Sequence, residues 1–266
     1  LYDLAFLLMD LQHQGLPRFA QRLLNGYLDE TWDDAGLALL PLFLACRAAV
    51  RAKVLGFAAG AAEAAAMSVV AEAREYLERA VVYLNPPPAR LVAIGGVSGT
   101  GKSTLARQLA PEIGAAPGAV ILRSDVVRKR MHGIAPSERL PPEAYQKEIS
   151  GLVYDALTKR AAALVRGGHA AIVDAVFLDP EERAEIERAA KDAGVDFQGL
   201  WLTAPEDILV RRISGRRDDA SDATAHVLRQ QLAADPGALT WPTVDVTGRP
   251  ERVAAEARDL LGVPTR

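Results

Sequence analysis

Cysteine is nearly absent. Cys46 is the one thiol in 266 residues, so no internal disulfide and no cysteine-rich zinc site can form. Set in an apolar helical stretch, Cys46 is expected to be a small buried hydrophobe. Histidine is scarce too: His13, His132, His169 and His226 lie far apart, lack metal-ligand spacing and read as structural. No apolar run approaches the length of about 18 residues that a membrane-spanning helix needs. The longest candidate, Leu37 to Cys46, is interrupted by Pro41 and closed by Arg47. No basic region precedes the first apolar residues, and Asp3 and Asp10 interrupt them, so these residues are not expected to form a secretory signal and a cytoplasmic setting is the default expectation. Charge excess is also missing: a formal net charge of -3 gives nothing global to draw nucleic acid or an anionic membrane. The first residue is Leu rather than Met, so the chain is expected to start inside a longer protein.

What is present is concentrated at one place. Gly96-Val97-Ser98-Gly99-Thr100-Gly101-Lys102-Ser103 spells G-x-x-x-x-G-K-S directly behind the apolar run Leu91-Val92-Ala93-Ile94-Gly95. That is a phosphate-binding loop in a strand-then-helix setting. Glycines let successive N–H groups turn onto phosphate oxygens, and the helix starting near Lys102 aims its positive end at the same anion. Gly96 to Thr104 are the candidate nucleotide contacts. Lys102 is expected at the β- and γ-phosphates, and the Ser103 hydroxyl on Mg²⁺. The helix is expected to stop at Pro111.

The chain divides into unlike parts. Residues 1–84 read as helical throughout, with Leu4, Leu7, Leu8 and Leu11 on one face and Phe19, Leu23, Leu24 and Tyr27 on another. Asn85-Pro86-Pro87-Pro88 breaks the last of these helices, so residues 85–90 form a Pro-rich linker and residues 91–266 a second domain. In that domain Leu91–Gly95, Ala119–Leu122, Ala170–Val173, Gly199–Leu202 and Val244–Val246 alternate with amphipathic helices. The pattern predicts an α/β fold with a parallel sheet between two helical layers, whose ligands bind at the carboxyl ends of the strands.

The strand exits are polar. The third run ends in Asp174, where a carboxylate steadies Mg²⁺ in the second half of a Walker site. The second leads to Arg123-Ser124-Asp125-Val126-Val127-Arg128-Lys129-Arg130. Asp125 is placed to take the proton of an attacking hydroxyl, and Arg128, one turn on, to hold the acceptor or the transferring group. The rival view makes Ser124 or Asp125 a helix cap and residues 128–130 a solvated basic face. After the fourth run, Arg212 and Arg216 flank Ile213-Ser214-Gly215, as a mobile arginine-bearing lid requires. Residues 131–168 include Tyr145, Glu148 and Tyr154, expected to shape the acceptor pocket.

Asparagine occurs twice, as Asn25 and Asn85, so the Asn-Lys-x-Asp element that reads guanine is absent and ATP is favoured. On the residues Gly96 to Ser103, Ser124 to Lys129, Ile172 to Ala175 and Arg212 to Ala223, the domain resembles the small P-loop kinases. That group includes gluconate kinase, chloramphenicol phosphotransferase, zeta toxin and polynucleotide kinase. The resemblance implies sheet order 2-3-1-4-5, Asp125 as the base, Arg212 and Arg216 as lid contacts, and Thr247 to Pro250 beside adenine. Leu1 to Asp10 with Leu40 to Arg51 resembles the C-terminal helices of an aminoglycoside-phosphotransferase-like domain, found ahead of such a kinase in a bacterial two-part family. By that resemblance an upstream kinase-like domain is the partner, and residues 1–84 carry no catalytic role. The function read from this is an ATP- and Mg²⁺-dependent kinase acting on a small-molecule hydroxyl. A regulatory ATP-binding module stays open, as does a kinase of nucleic-acid ends, against which the net acidity speaks.

Overall fold

A computed structural model describes residues 1–61, 66–135, 138–215 and 221–263. Four helices lead: α1 (Tyr2–His13), α2 (Pro17–Thr31), α3 (Leu40–Ala61) and α4 (Ala66–Leu84). Strands and helices then alternate as β1 (Arg90–Gly95), α5 (Lys102–Leu109), β2 (Val120–Arg123), α6 (Ser124–Met131) and α7 (Lys147–Arg166). The order continues with β3 (Ala171–Asp174), α8 (Pro180–Asp192), β4 (Asp196–Thr203), α9 (Glu206–Ser214), α10 (Ala225–Ala233), β5 (Thr243–Asp245) and α11 (Pro250–Leu260). Helix α5 stops at Leu109, and Pro111 lies in the single 3-10 turn Ala110–Glu112 that follows it. Among the described residues, no helix is long and apolar enough to cross a membrane.

The five strands form one parallel sheet in the order β2-β3-β1-β4-β5. Alternate residues of β1 to β4 enter different cores, as the two-residue period of a strand requires, while β5 buries only Val244. Leu91, Ala93, Val120, Leu122, Ala171 and Val173 face the core shared with Val153, Leu157, Leu164 and Ile186 of α7 and α8. Val92, Ile94, Ile121, Ile172, Leu200 and Leu202 face the core built with Leu105 and Leu109 of α5 and Val253 and Ala257 of α11. Both faces are covered, which is why these strands read as unbroken apolar runs.

The helical segment is docked on the sheet's edge. β2 is an outer strand, and an outer strand leaves backbone groups without a partner. Helix α2 supplies them from two buried amides. The Ile121 N–H donates to Asn25 Oδ1 at 2.7 Å, while Asn25 Nδ2 and Gln21 Nε2 donate to the Ala119 carbonyl at 3.3 and 3.2 Å. The same corner is tied by Arg160, which donates twice to Asp34, and by Arg130, which donates to the Asp29 and Glu30 carbonyls.

This docking changes the expected faces. The buried side of α2 is Ala20, Gln21, Leu24, Asn25 and Leu28, because the amides must reach β2; Phe19 is left 61% exposed. On α1 the buried residues are Ala5, Leu8 and Met9, and Leu7 points outward. Cys46 is exposed rather than buried, since Leu44, Ala45 and Ala48 take the inward positions of α3. Phe57 of α3 and Met67, Val81 and Val82 of α4 are exposed as well.

Candidate functional site

The phosphate loop leaves β1 at Gly95 and enters α5 at Lys102. Gly96 has a φ of 128°, and a Cβ there would lie 2.5 Å from the Leu202 carbonyl oxygen, so only glycine lets the loop pass this close to β4. Gly101 caps α5 at a φ of 88°, again in the left-handed region. The Gly96 N–H donates to the Val176 carbonyl at 3.1 Å, which pins the base of the loop to the segment after β3. Thr100 Oγ1 donates to the Val97 carbonyl at 2.8 Å, and the Ser98 N–H donates to Gln231 Oε1 of α10 at 2.8 Å. Lys102 Nζ donates to the Gly96 and Val97 carbonyls at 2.8 and 3.2 Å, so the ammonium is folded over the loop.

β3 lies between β1 and β2, and the register sets Asp174 level with both Ile94 and Arg123. The Ser103 hydroxyl donates to Asp174 Oδ2 at 2.5 Å, and Arg123 Nε lies 3.5 Å from the same oxygen. Asp174 is buried. A hydroxyl and a carboxylate oxygen this close are hard donors suited to Mg²⁺, which takes few protein ligands and keeps water and phosphate oxygens for the rest. No cluster of three or more His, Cys, Asp or Glu suited to a metal occurs among the described residues.

Asp125 lies in the first turn of α6, whose N-cap is Arg123 with no side-chain capping bond, so neither Ser124 nor Asp125 serves as the cap. Burial, and next the nearby Asp174 charge, raise the Asp125 carboxyl above the usual range, against Arg123 and Lys102, which pull it down. Arg128 and Lys129 are buried, not a solvated basic face. Arg128 Nη1 donates to the Ala144 carbonyl at 2.7 Å and to Ser150 Oγ at 3.3 Å, and its guanidinium lies 4.9 Å from the centre of the Tyr145 ring. Tyr145 belongs to the 3-10 turn Pro142–Tyr145, so Arg128 clamps that turn to α6 and α7. Tyr154 accepts from the Phe177 N–H at 2.9 Å and is hydrogen bonded to Glu182. Burial pushes the Glu182 carboxyl up to about 7. The Phe177 and Leu178 carbonyls accept from the buried Arg183, which shapes the segment after β3.

All these parts open into one cavity of about 720 Å³. Its walls include Ser98 to Thr104 of the loop and α5, Asp125, Arg128, Tyr145, Tyr154, Asp174, Glu182 and Arg212. Gly96 and Val97 support the loop from below: the first bonds Val176, and their carbonyls bond Lys102. Gly248 and Pro250 line the end where the resemblance expects adenine. Arg212 Nη2 donates to the Val246 carbonyl at 2.6 Å. Arg216 lies outside the described residues. Glu148 is exposed and is not part of the wall, because it falls on the outward side of the first turn of α7. Sequence reasoning did not single out Arg123, Glu182, Gln231, Ser221 or Asp222. Arg123 had a visible signal, as the last residue of a strand whose exit carries the next two polar residues.

Comparison with known proteins gives a family model, described as an AAA domain (AAA_33), that matches residues 91–235. An uncharacterized protein of Mycobacterium tuberculosis (strain ATCC 25618 / H37Rv) is 34% identical over 261 residues, which is 96% of this chain and 51% of that one. This chain thus spans about half the length of the curated relatives it first matches. An adenylyl-sulfate kinase of Myxococcus xanthus (strain DK1622) is 30% identical over 117 residues, covering 44% of this chain and 59% of that one. Among solved structures, the APS kinase of Mycobacterium tuberculosis in complex with AMPPNP and APS is 21% identical, with a TM-score of 0.49 over 66% of this chain and 99% of the other. A gluconokinase from Sinorhizobium meliloti 1021 is 22% identical, with a TM-score of 0.47 over 66% of this chain and 91% of the other.

Proposed function

We propose that this chain, which belongs to the AAA_33 family of AAA domains, is a small P-loop kinase that transfers the γ-phosphoryl group of ATP to a hydroxyl of a small molecule. One observation carries this reading. Asp125 shares its cavity with Lys102 and Ser103, so a hydroxyl held on that carboxylate has the triphosphate site beside it. The loop amides and Lys102 bind the triphosphate, and Ser103 and Asp174 hold Mg²⁺. The ion, when bound, neutralises charge on the phosphate oxygens. Asp125 takes the acceptor's proton, a contribution of roughly 10²–10⁴-fold for a well-placed base. Arg212 and Arg216 are assigned to charge on the transferring group, Arg216 from sequence alone. Arg128 acts on the acceptor wall through Ala144 and Tyr145.

The acceptor end narrows the substrate class. Asp125, Asp179 and Glu182 bring three carboxyl groups to the cavity wall there, against the guanidinium of Arg128, and the Lys129 charge is paired with Asp222. A neutral or cationic hydroxyl compound suits that surface better than a polyanion. A nucleic-acid end loses its support, since the basic run that suggested it is largely buried. The upstream kinase-like domain and the cytoplasmic setting rest on the sequence reading and belong to the same proposal.

The test is a phosphate-transfer screen with labelled ATP against sugars, aminoglycosides, nucleosides and oligonucleotide ends. With the acceptor found, Asp125→Asn is expected to lower kcat about 10²–10⁴-fold while ATP affinity stays unchanged. An unaltered kcat removes Asp125 as the base. Tight ATP binding with no transfer to any compound would return the chain to a regulatory role.

A further inference from the structure

Ser221 and Asp222, shortly before α10, line the cavity. Asp222 accepts from Lys129 Nζ at 3.2 Å, from the Leu140 N–H at 3.0 Å and from the Tyr145 hydroxyl at 2.8 Å. One carboxylate thereby joins α6, the loop after it and the 3-10 turn of the acceptor wall. The Lys129 and Asp222 side chains are only 1% and 9% exposed. Separating this largely buried ion pair is costly, which is why such a pair holds its loop firmly.

The anchor fixes the residue before it. The Ser221 hydroxyl donates to the Asp125 carboxylate. An alcohol hydrogen bonded to that carboxylate, in the cavity of Lys102 and Ser103, occupies the place that the kinase reading gives to the substrate hydroxyl. We propose that Ser221 is an internal phosphoryl acceptor, modified when ATP is present and no external acceptor displaces it. This rests on the assignment of Asp125 as the base. Ser221 Oγ forms a bond to the γ-phosphorus as the bond from that phosphorus to the β,γ-bridging oxygen breaks. ADP leaves with the electron pair, and the serine proton passes to Asp125. The resulting phosphoserine carries close to two negative charges beside Asp125 and Asp222, so the product is repelled from the Asp125 carboxylate.

The experiment incubates the full chain with ATP and Mg²⁺ and no added acceptor, then maps phosphate by peptide mass spectrometry. Binding of a non-hydrolysable ATP analogue is measured separately by calorimetry. One phosphate is expected on Ser221, lost in Ser221→Ala and slowed about 10²-fold or more in Asp125→Asn. Asp222→Asn, which keeps the shape but loosens the anchor, is expected to slow it by about tenfold, the effect of one weakened charged hydrogen bond. Analogue binding with Ser221 unmodified overturns the inference and leaves the kinase reading standing. Phosphate deposited elsewhere, and equally in Ser221→Ala, overturns it too. Failure of the analogue to bind sinks the nucleotide site itself, and the inference with it.

Discussion

Asn25→Ala tests whether the helical segment is a working part of the sheet. In the native protein the Asn25 side chain accepts from the Ile121 N–H of the outer strand β2 and donates to the carbonyl of Ala119, the residue just before that strand. Alanine leaves the Ile121 N–H buried and unpaired, which costs about 1–3 kcal/mol. Better helix propensity returns about 0.5 kcal/mol. The net expectation is a loss of about 0.5–2.5 kcal/mol, read as a lower urea midpoint at constant m-value. Gln21→Ala should cost less, about 0.5–1 kcal/mol, because the Ala119 carbonyl keeps Asn25 as a donor. In the double variant that carbonyl is stranded as well. The two losses should therefore exceed additivity by about 0.5–1 kcal/mol. An Asn25→Ala change within 0.5 kcal/mol of the parent, or strict additivity of the pair, refutes the argument.

Two further outcomes follow from the cavity. Burial lifts the Glu182 carboxyl from its ordinary 4.5 to about 7, so between those values the folded state holds a proton that the unfolded chain releases. Stability must then fall as pH rises through that window, and Glu182→Gln, which can still accept from Tyr154, should gain about 2–3 kcal/mol at pH 8 and nothing near pH 4. Thermal unfolding of both proteins at the two pH values checks this, and a gain independent of pH contradicts it. Asp174→Asn removes a charged oxygen from the pair with Ser103. It should raise the Mg²⁺ concentration for half-maximal binding of an ATP analogue by about tenfold, or 1.4 kcal/mol. An unchanged Mg²⁺ titration would take Asp174 out of the metal site.

The sheet was legible because its signals are local. Each of β1 to β3 is a short apolar run closed by a polar residue or a turn, as a strand buried on both faces reads. β4 began earlier than expected, at Asp196, because Asp196, Phe197 and Gln198 mix polar and apolar residues, and their strand character comes from pairing with Arg90, Leu91 and Val92 of β1. The faces of α1 and α2 were less legible. A hydrophobic stripe predicts what turns inward when the neighbour is apolar, but α2 packs on a strand edge that wants hydrogen bonds. Gln21 and Asn25 therefore displace Phe19 from the interior, and only the position of β2 at the edge of the sheet explains why.

The same reasoning separates the two ends of the cavity. The phosphate end is written in consecutive residues, since one loop supplies the amides, the lysine and the hydroxyl. The acceptor end is assembled from four separate stretches. Lys129 and Asp222 are 93 residues apart, and Arg128 reaches Ala144 and Ser150 from a different element. In sequence, Arg128-Lys129-Arg130 is a charge run and reads as a wet surface, because an unpartnered buried cation is so unfavourable. It is the partners, a carboxylate at 222 and a carbonyl at 144, that make burial possible. Of the three, Arg130 alone is exposed, and it turns back onto the Asp29 and Glu30 carbonyls. The run is thus split among the acceptor wall, the anchor of the returning segment and the helical segment. A charge reversal at any one of the three should disturb a different function: Tyr145 and the acceptor for Arg128, Ser221 for Lys129, and the seat of α2 for Arg130.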